Sequence, residues 1–180
     1  MNNDSTSPGY LTPVGDTPAY DKELEIKISD WICGVSGLDV KWVFPRWTDP
    51  QITIPPKGTT WCAFGVTSMP RTGLPADIQG DTSSEQWTWE NVTIICCFYG
   101  PGGAALAATF REGIYVPQNN AELNRAGLSL VDVDTLRSLP ELINNQWVRR
   151  YDLTVTLSRK NVRSFNIRTL QSAPVYFFGD

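Results

Sequence analysis

Residues from Trp147 to Arg159 alternate between two faces. Trp147, Arg149, Tyr151, Leu153, Val155, Leu157 and Arg159 fall on one parity, and Val148, Arg150, Asp152, Thr154, Thr156 and Ser158 on the other. A period of two predicts a half-buried strand over 146–159 with one wet face. Residues 86–99 (QWTWENVTIICCFY) predict a second long strand. Its first half alternates, with Trp87 and Trp89 on one face. Its second half is apolar on both faces, as in a strand lying mid-sheet. The adjacent Cys96 and Cys97 then point to opposite faces. Shorter strands are predicted at 40–44, 59–67 and 128–133, with further strand pieces at 163–168 and 175–178.

The helical period appears twice. Leu24, Ile28, Trp31, Ile32 and Val35 share one face and predict a helix over 21–37. Glu23 and Glu25 sit in its first turn, where the dipole favours them, and Ser36-Gly37 ends it. A second helix is expected between Gly100-Pro101-Gly102-Gly103 and about residue 116. Pro101 suits its first turn. Leu106, Phe110, Gly113 and Ile114 define its face, and four alanines let it pack closely. Residues 117–127 read as a polar connection with one helical turn at 120–124. Residues 68–85 are loop-like, with the character of an exposed hairpin tip. Two helices separated by strands give an α+β fold: a mainly antiparallel sheet flanked by two helices.

Residues 1–20 are poor in aliphatics and rich in Asn, Asp, Ser, Thr, Pro and Gly. Such a segment builds no core of its own. The expected organisation is therefore an extended N-terminal arm over 1–20 and a single domain over 21–180. Tyr10 and Leu11 lie between Pro8 and Pro13, an extended anchor with a low ordering cost.

Composition narrows the chemistry. The 180 residues hold seven Trp and no His, which removes the commonest general base and metal ligand. Trp is enriched at buried anchors and at protein–protein contacts. The four cysteines, Cys33, Cys62, Cys96 and Cys97, form no CxxC pair and read as reduced small hydrophobes. No apolar run reaches the roughly 20 residues that span a bilayer. The N-terminus has no signal-peptide pattern, so the chain is expected to stay in the cytosol of the cell that makes it. Charge is uneven: Arg137–Asp180 carries seven basic and three acidic residues, the rest eight basic and sixteen acidic. An acidic front and a basic back suit head-to-tail contact between identical copies.

Candidate sites are few. Gly100-Pro-Gly-Gly lacks the Lys and the spacing of a phosphate loop, and Pro101 removes an N–H that a phosphate would need. A strand-to-helix turn explains it. Asp132, Asp134 and Glu141 form no distinctive acidic pair. Arg149, Arg150, Arg159, Lys160 and Arg163 form a basic cluster suited to an acidic protein neighbour; with a pI near 4.8 the chain as a whole is not DNA-binding in character. Tyr10, Leu11 and these five basic residues are the candidate subunit or partner contacts. No catalytic, metal or cofactor residue is expected.

Several strings occur together in order: Pro8-Gly-Tyr-Leu-Thr-Pro13, Trp61-Cys-Ala-Phe-Gly-Val66, Phe98-Tyr-Gly-Pro101, Gln118-Asn-Asn120, Glu122-Leu-Asn-Arg-Ala-Gly127 and Asn144-Asn-Gln-Trp-Val-Arg-Arg-Tyr-Asp152. In this order they resemble the neck or tail terminator proteins of tailed bacteriophages, over nearly the whole chain. The resemblance implies a structural virion protein at the head–tail neck and no enzyme. It implies a ring of six copies that caps the tail tube, ends its growth and meets the head-completion protein. In a contractile tail it would also meet the sheath, and DNA would pass through the channel without sequence recognition. Another neck component, an adaptor or stopper, is the nearest alternative. A carbohydrate-binding module or a virion glycan hydrolase stands further off. No membrane partner is expected.

Overall fold

The computed structural model describes residues 9–167. The chain groups into two compact units. Among the described residues the larger comprises 19–72 and 89–160, the smaller 9–18, 73–88 and 161–167.

Helix α1 (Asp21–Ser36) opens the larger unit. Leu24, Ile28, Trp31 and Ile32 are its buried stripe, as the 3.6-residue period requires. Gly37 closes it in the left-handed conformation, donating its N–H to the Cys33 carbonyl at 2.9 Å. A single 3₁₀ turn at Val40–Trp42 follows, where a strand was expected. Asp39 accepts from the Lys41 N–H and stabilises that turn before the chain can extend. Strands β1 (Val43–Pro45), β2 (Trp61–Ser68), β4 (Ser83–Tyr99), β9 (Arg150–Asn166) and β5 (Leu128–Val133) then line up in the order β1-β2-β4-β9-β5. The β1–β2 pair is parallel, while β2–β4 and β5–β9 are antiparallel. Helix α2 (Gly103–Gly113) and a short α3 (Ala121–Arg125) complete an α+β architecture with three α-helices among the described residues. The third is the helical turn expected at 120–124.

Alternation sorts the sheet into two apolar layers. Cys62, Phe64, Ile94, Cys96, Phe98, Leu153, Val155 and Leu157 pack with the three helices in one core. Trp61, Ala63, Cys97 and Tyr99 face the other side. Cys96 and Cys97 thus sit in different layers. All four thiols are free, and only Cys33 is not fully buried. Burying each large side chain contributes about 1.5–3 kcal/mol. On α2 the buried face is Gly103, Ala107, Phe110 and Ile114; Leu106, expected on that face, is half-buried and packs at the edge of the core. Pro101 precedes the helix by two residues, in the turn. At Gly113 an added Cβ would lie 2.7 Å from Val35 Cγ1, so glycine sets the α1–α2 approach. The Trp31 indole N–H donates to Asn120 Oδ1 at 3.0 Å, and Asn120 Nδ2 donates to the Ile114 carbonyl at 2.7 Å.

The long strand expected at 146–159 is two elements. Gln146–Val148 (β8) pairs with Glu141–Ile143 (β7) as a separate hairpin. The two residues between them, Asn144 and Asn145, both have positive φ, at 47° and 61°, as a tight primed turn demands. Trp147 therefore leaves the buried face that its parity predicted and is 74% exposed. From Leu153 to Leu157 the predicted alternation holds. A two-residue strand β6 (Arg137–Ser138) pairs with β9 at Tyr151 and Asp152.

In the smaller unit, β3 (Ala76–Gln79) pairs with Ser84–Trp87 of β4, and the Gly80 N–H bonds the Ser83 carbonyl at 2.7 Å. The expected hairpin tip is thus an ordered two-stranded ribbon. The Val14 N–H bonds the Ser164 carbonyl at 2.7 Å, and the Ile167 N–H bonds the Thr82 carbonyl at 3.0 Å. The expected piece at 163–168 is the end of β9, unbroken through Asn166. The piece expected at 175–178 lies outside the described residues.

Candidate partner-binding groove

The layer opposite the helices carries a groove of about 630 Å³ within the larger unit. One wall is the segment 54–59 and the other is the β7–β8 hairpin. Trp61 and the Gly100–Pro101 turn form the floor. Glycine at 100 is required twice. Its φ is 91°, and an added Cβ would lie 2.2 Å from the Thr59 carbonyl oxygen. The turn is pinned on both sides: the Gly100 N–H bonds the Arg149 carbonyl at 3.1 Å, and the Gly102 N–H bonds Thr60 Oγ1 at 3.0 Å. Trp61 stacks on Tyr99 with ring centroids 4.0 Å apart.

A polar network latches the hairpin to the sheet. The Arg150 fork takes both Asp152 oxygens at 2.7 Å, and its third nitrogen reaches Glu141 Oε2 at 3.0 Å. The Tyr99 hydroxyl donates to the same Glu141 oxygen at 2.9 Å. Bidentate bonding to Asp152 holds the Arg150 guanidinium more firmly protonated than usual. Burial, helped by the bond to Glu141, raises the Tyr99 hydroxyl. Cys97 lies beside this network, with Arg46 Nη1 at 3.0 Å and Arg150 Nη2 at 3.5 Å. Burial outweighs those cations, with Asp152 adding to it, and pushes the thiol up to about 11.

The structure separates the expected contact residues. Tyr10 is 91% exposed, and Leu11 is exposed beside it. Arg149 is exposed on the groove rim. Arg150 is committed to the latch. Arg159 is buried: its Nε bonds Glu90 at 2.6 Å, Nη1 bonds the Ala19 carbonyl, and its guanidinium lies 4.4 Å from the Tyr20 ring centroid. Lys160 is exposed, 5.9 Å from the Trp89 ring centroid, and Arg163 is half-buried in the smaller unit. Nine residues of strand, about 30 Å, separate Arg150 from Arg159, so the basic residues form no single patch. Asp134 pairs with Arg137 at 2.9 Å and Glu141 with Arg150, so the acidic trio is dispersed. Sequence reasoning missed the groove because it ran one strand through Gln146–Val148. The Asn144-Asn145 pair between two apolar dipeptides was the available signal.

The family model for the phage neck terminator protein matches residues 22–180. The chain belongs to that family. This neck terminator is a structural protein of the virion neck. No curated protein matches it. Among solved structures it is similar to a chain of the "Virion of native gene transfer agent (GTA) particle", at 17% identity, over 77% of this chain and 94% of that one, with a TM-score of 0.27. No helix among the described residues is long and apolar enough to cross a membrane.

Proposed function

We propose that six copies of this chain form a ring at the head–tail junction. The ring caps the tail tube, ends its elongation, and joins the tail to the head-completion protein. DNA passes through its channel without sequence recognition, and in a contractile tail the ring also meets the sheath. The observation that carries this reading is the family match over 22–180. Three features support self-association. The Arg137–Asp180 segment has a basic excess and the remainder an acidic one, which suits a heterologous interface that closes by rotation. Trp47, Trp147 and Leu142 are large apolar side chains left more than half exposed. Tyr10 and Leu11, within the arm expected over 1–20, are exposed and open to a neighbour.

Capping is tested by adding the purified protein to growing tail-tube subunits and measuring tube length by electron microscopy. Tubes that stop growing with one ring at one end support the reading. Unchanged growth with binding to portal rings would assign the chain to an adaptor or stopper role instead.

A further inference from the structure

We infer that the groove beside Trp147 receives the Gly9–Pro13 segment of a neighbouring copy's arm. The inference rests on the self-association reading, since copies must meet. The groove has the chemistry that captures short extended peptides: Pro55, Pro56 and Pro101 with Trp61 and an outward Trp147. Flat rings and prolines bind extended, proline-bracketed chains because such chains lose little entropy on docking. Pro8 and Pro13 bracket Gly-Tyr-Leu-Thr, and proline biases the residue before it toward extended backbone. Tyr10 is nearly fully exposed, and its ring finds no stacking partner among the described residues.

Charge selects the same pairing. The groove rim carries Lys57 and Arg149, and neither side chain enters an ion pair among the described residues. The arm through residue 20 carries Asp4 and Asp16 and no Lys or Arg. An acidic strap thus meets a basic rim, while the apolar centre supplies Tyr10 and Leu11 with a burial site.

Photo-crosslinking of the full chain tests this. Trp147 is replaced by p-benzoyl-L-phenylalanine in an equal mixture of ¹⁴N- and ¹⁵N-labelled protein, and light scattering on the same sample reports the mass. The exposed position keeps the fold intact, as a melting curve verifies. Heavy–light adducts between position 147 and residues 9–13 are the expected result. Adducts confined to one copy, adducts on 168–180, or a ring without adducts at 9–13 overturn the arm docking and leave the ring reading standing. If the protein is monomeric, the ring reading fails in solution, and a synthetic peptide of residues 4–17 replaces the neighbour. Binding of that peptide, weakened at least about tenfold by Trp147→Ala, then upholds the groove assignment. No binding, or equal binding to Trp147→Ala, overturns it.

Discussion

Replacing Arg159 by methionine removes the cation that joins β9 to β4 and to the start of α1. Arg159 and Glu90 are 6% and 15% exposed and 2.6 Å apart, and the Ala19 carbonyl depends on the same guanidinium. Loss of one partner strands the Glu90 carboxylate in a poorly solvated site. Breaking such a pair costs about 3–5 kcal/mol. For a chain of this size each kcal/mol moves the melting temperature by about 2–4 °C, so Arg159→Met should melt about 6–20 °C lower. Calorimetry on dilute protein reads the shift before assembly contributes. The double variant Arg159→Met with Glu90→Leu should recover much of the loss, because no orphaned charge remains. Were the single variant to melt within about 2 °C of the parent while losing its virion partners, the residue would be an interface contact and the internal account wrong.

Gly100→Ala should cost about 2–5 kcal/mol, combining left-handed strain with the clash on Thr59, whereas Gly58→Ala, at φ 86° with open space around it, should cost only about 1–2 kcal/mol in the same urea titration. Asn120→Leu should cost about 1–3 kcal/mol by stranding the Trp31 N–H, and adding Trp31→Phe should restore part of it, read as a double-mutant cycle. Cys97 has a folded pKa near 11 against about 8.5 in unfolded chains, so its contribution is fully present below about pH 8.5 and is lost as pH rises toward 11. The urea midpoint should fall between pH 8 and pH 10, and fall less in Cys97→Ala; an equal fall in both would reject the assignment. Native alkylation at pH 8 should modify Cys33 and spare the three buried thiols, as peptide mass mapping would show.

Long periodic segments were legible because one physical pattern fixed them. The α1 stripe, the alternation over Leu153–Leu157 and the two-faced Cys96-Cys97 pair follow from period alone. The Arg137–Asp180 charge excess was also plain in the sequence, but its members' partners were not. Arg150 finds Asp152 two residues away and Glu141 on another strand, while Arg159 finds Glu90 across 69 positions. Linear spacing carries no record of such pairings, so residues adjacent in a count of charge serve different ends in space. The groove was hidden for a similar reason. A strand pattern ran on through Arg149, where the ladder is broken and the carbonyl accepts from the Gly100 N–H instead, while the positive-φ turn at Asn144-Asn145 folds Gln146–Val148 back on Glu141–Ile143. The 3₁₀ turn at Val40–Trp42 likewise reflects a local Asp39 bond that outweighs the extended preference of an apolar run.

The central claim is self-assembly into a terminating ring. Light scattering of the purified full chain, followed by single-particle imaging with tail tubes added, tests it most directly. The account predicts six subunits around an open channel, seated at one end of each tube. Monomers that never engage tube ends, or rings that bind only the portal, would contradict it.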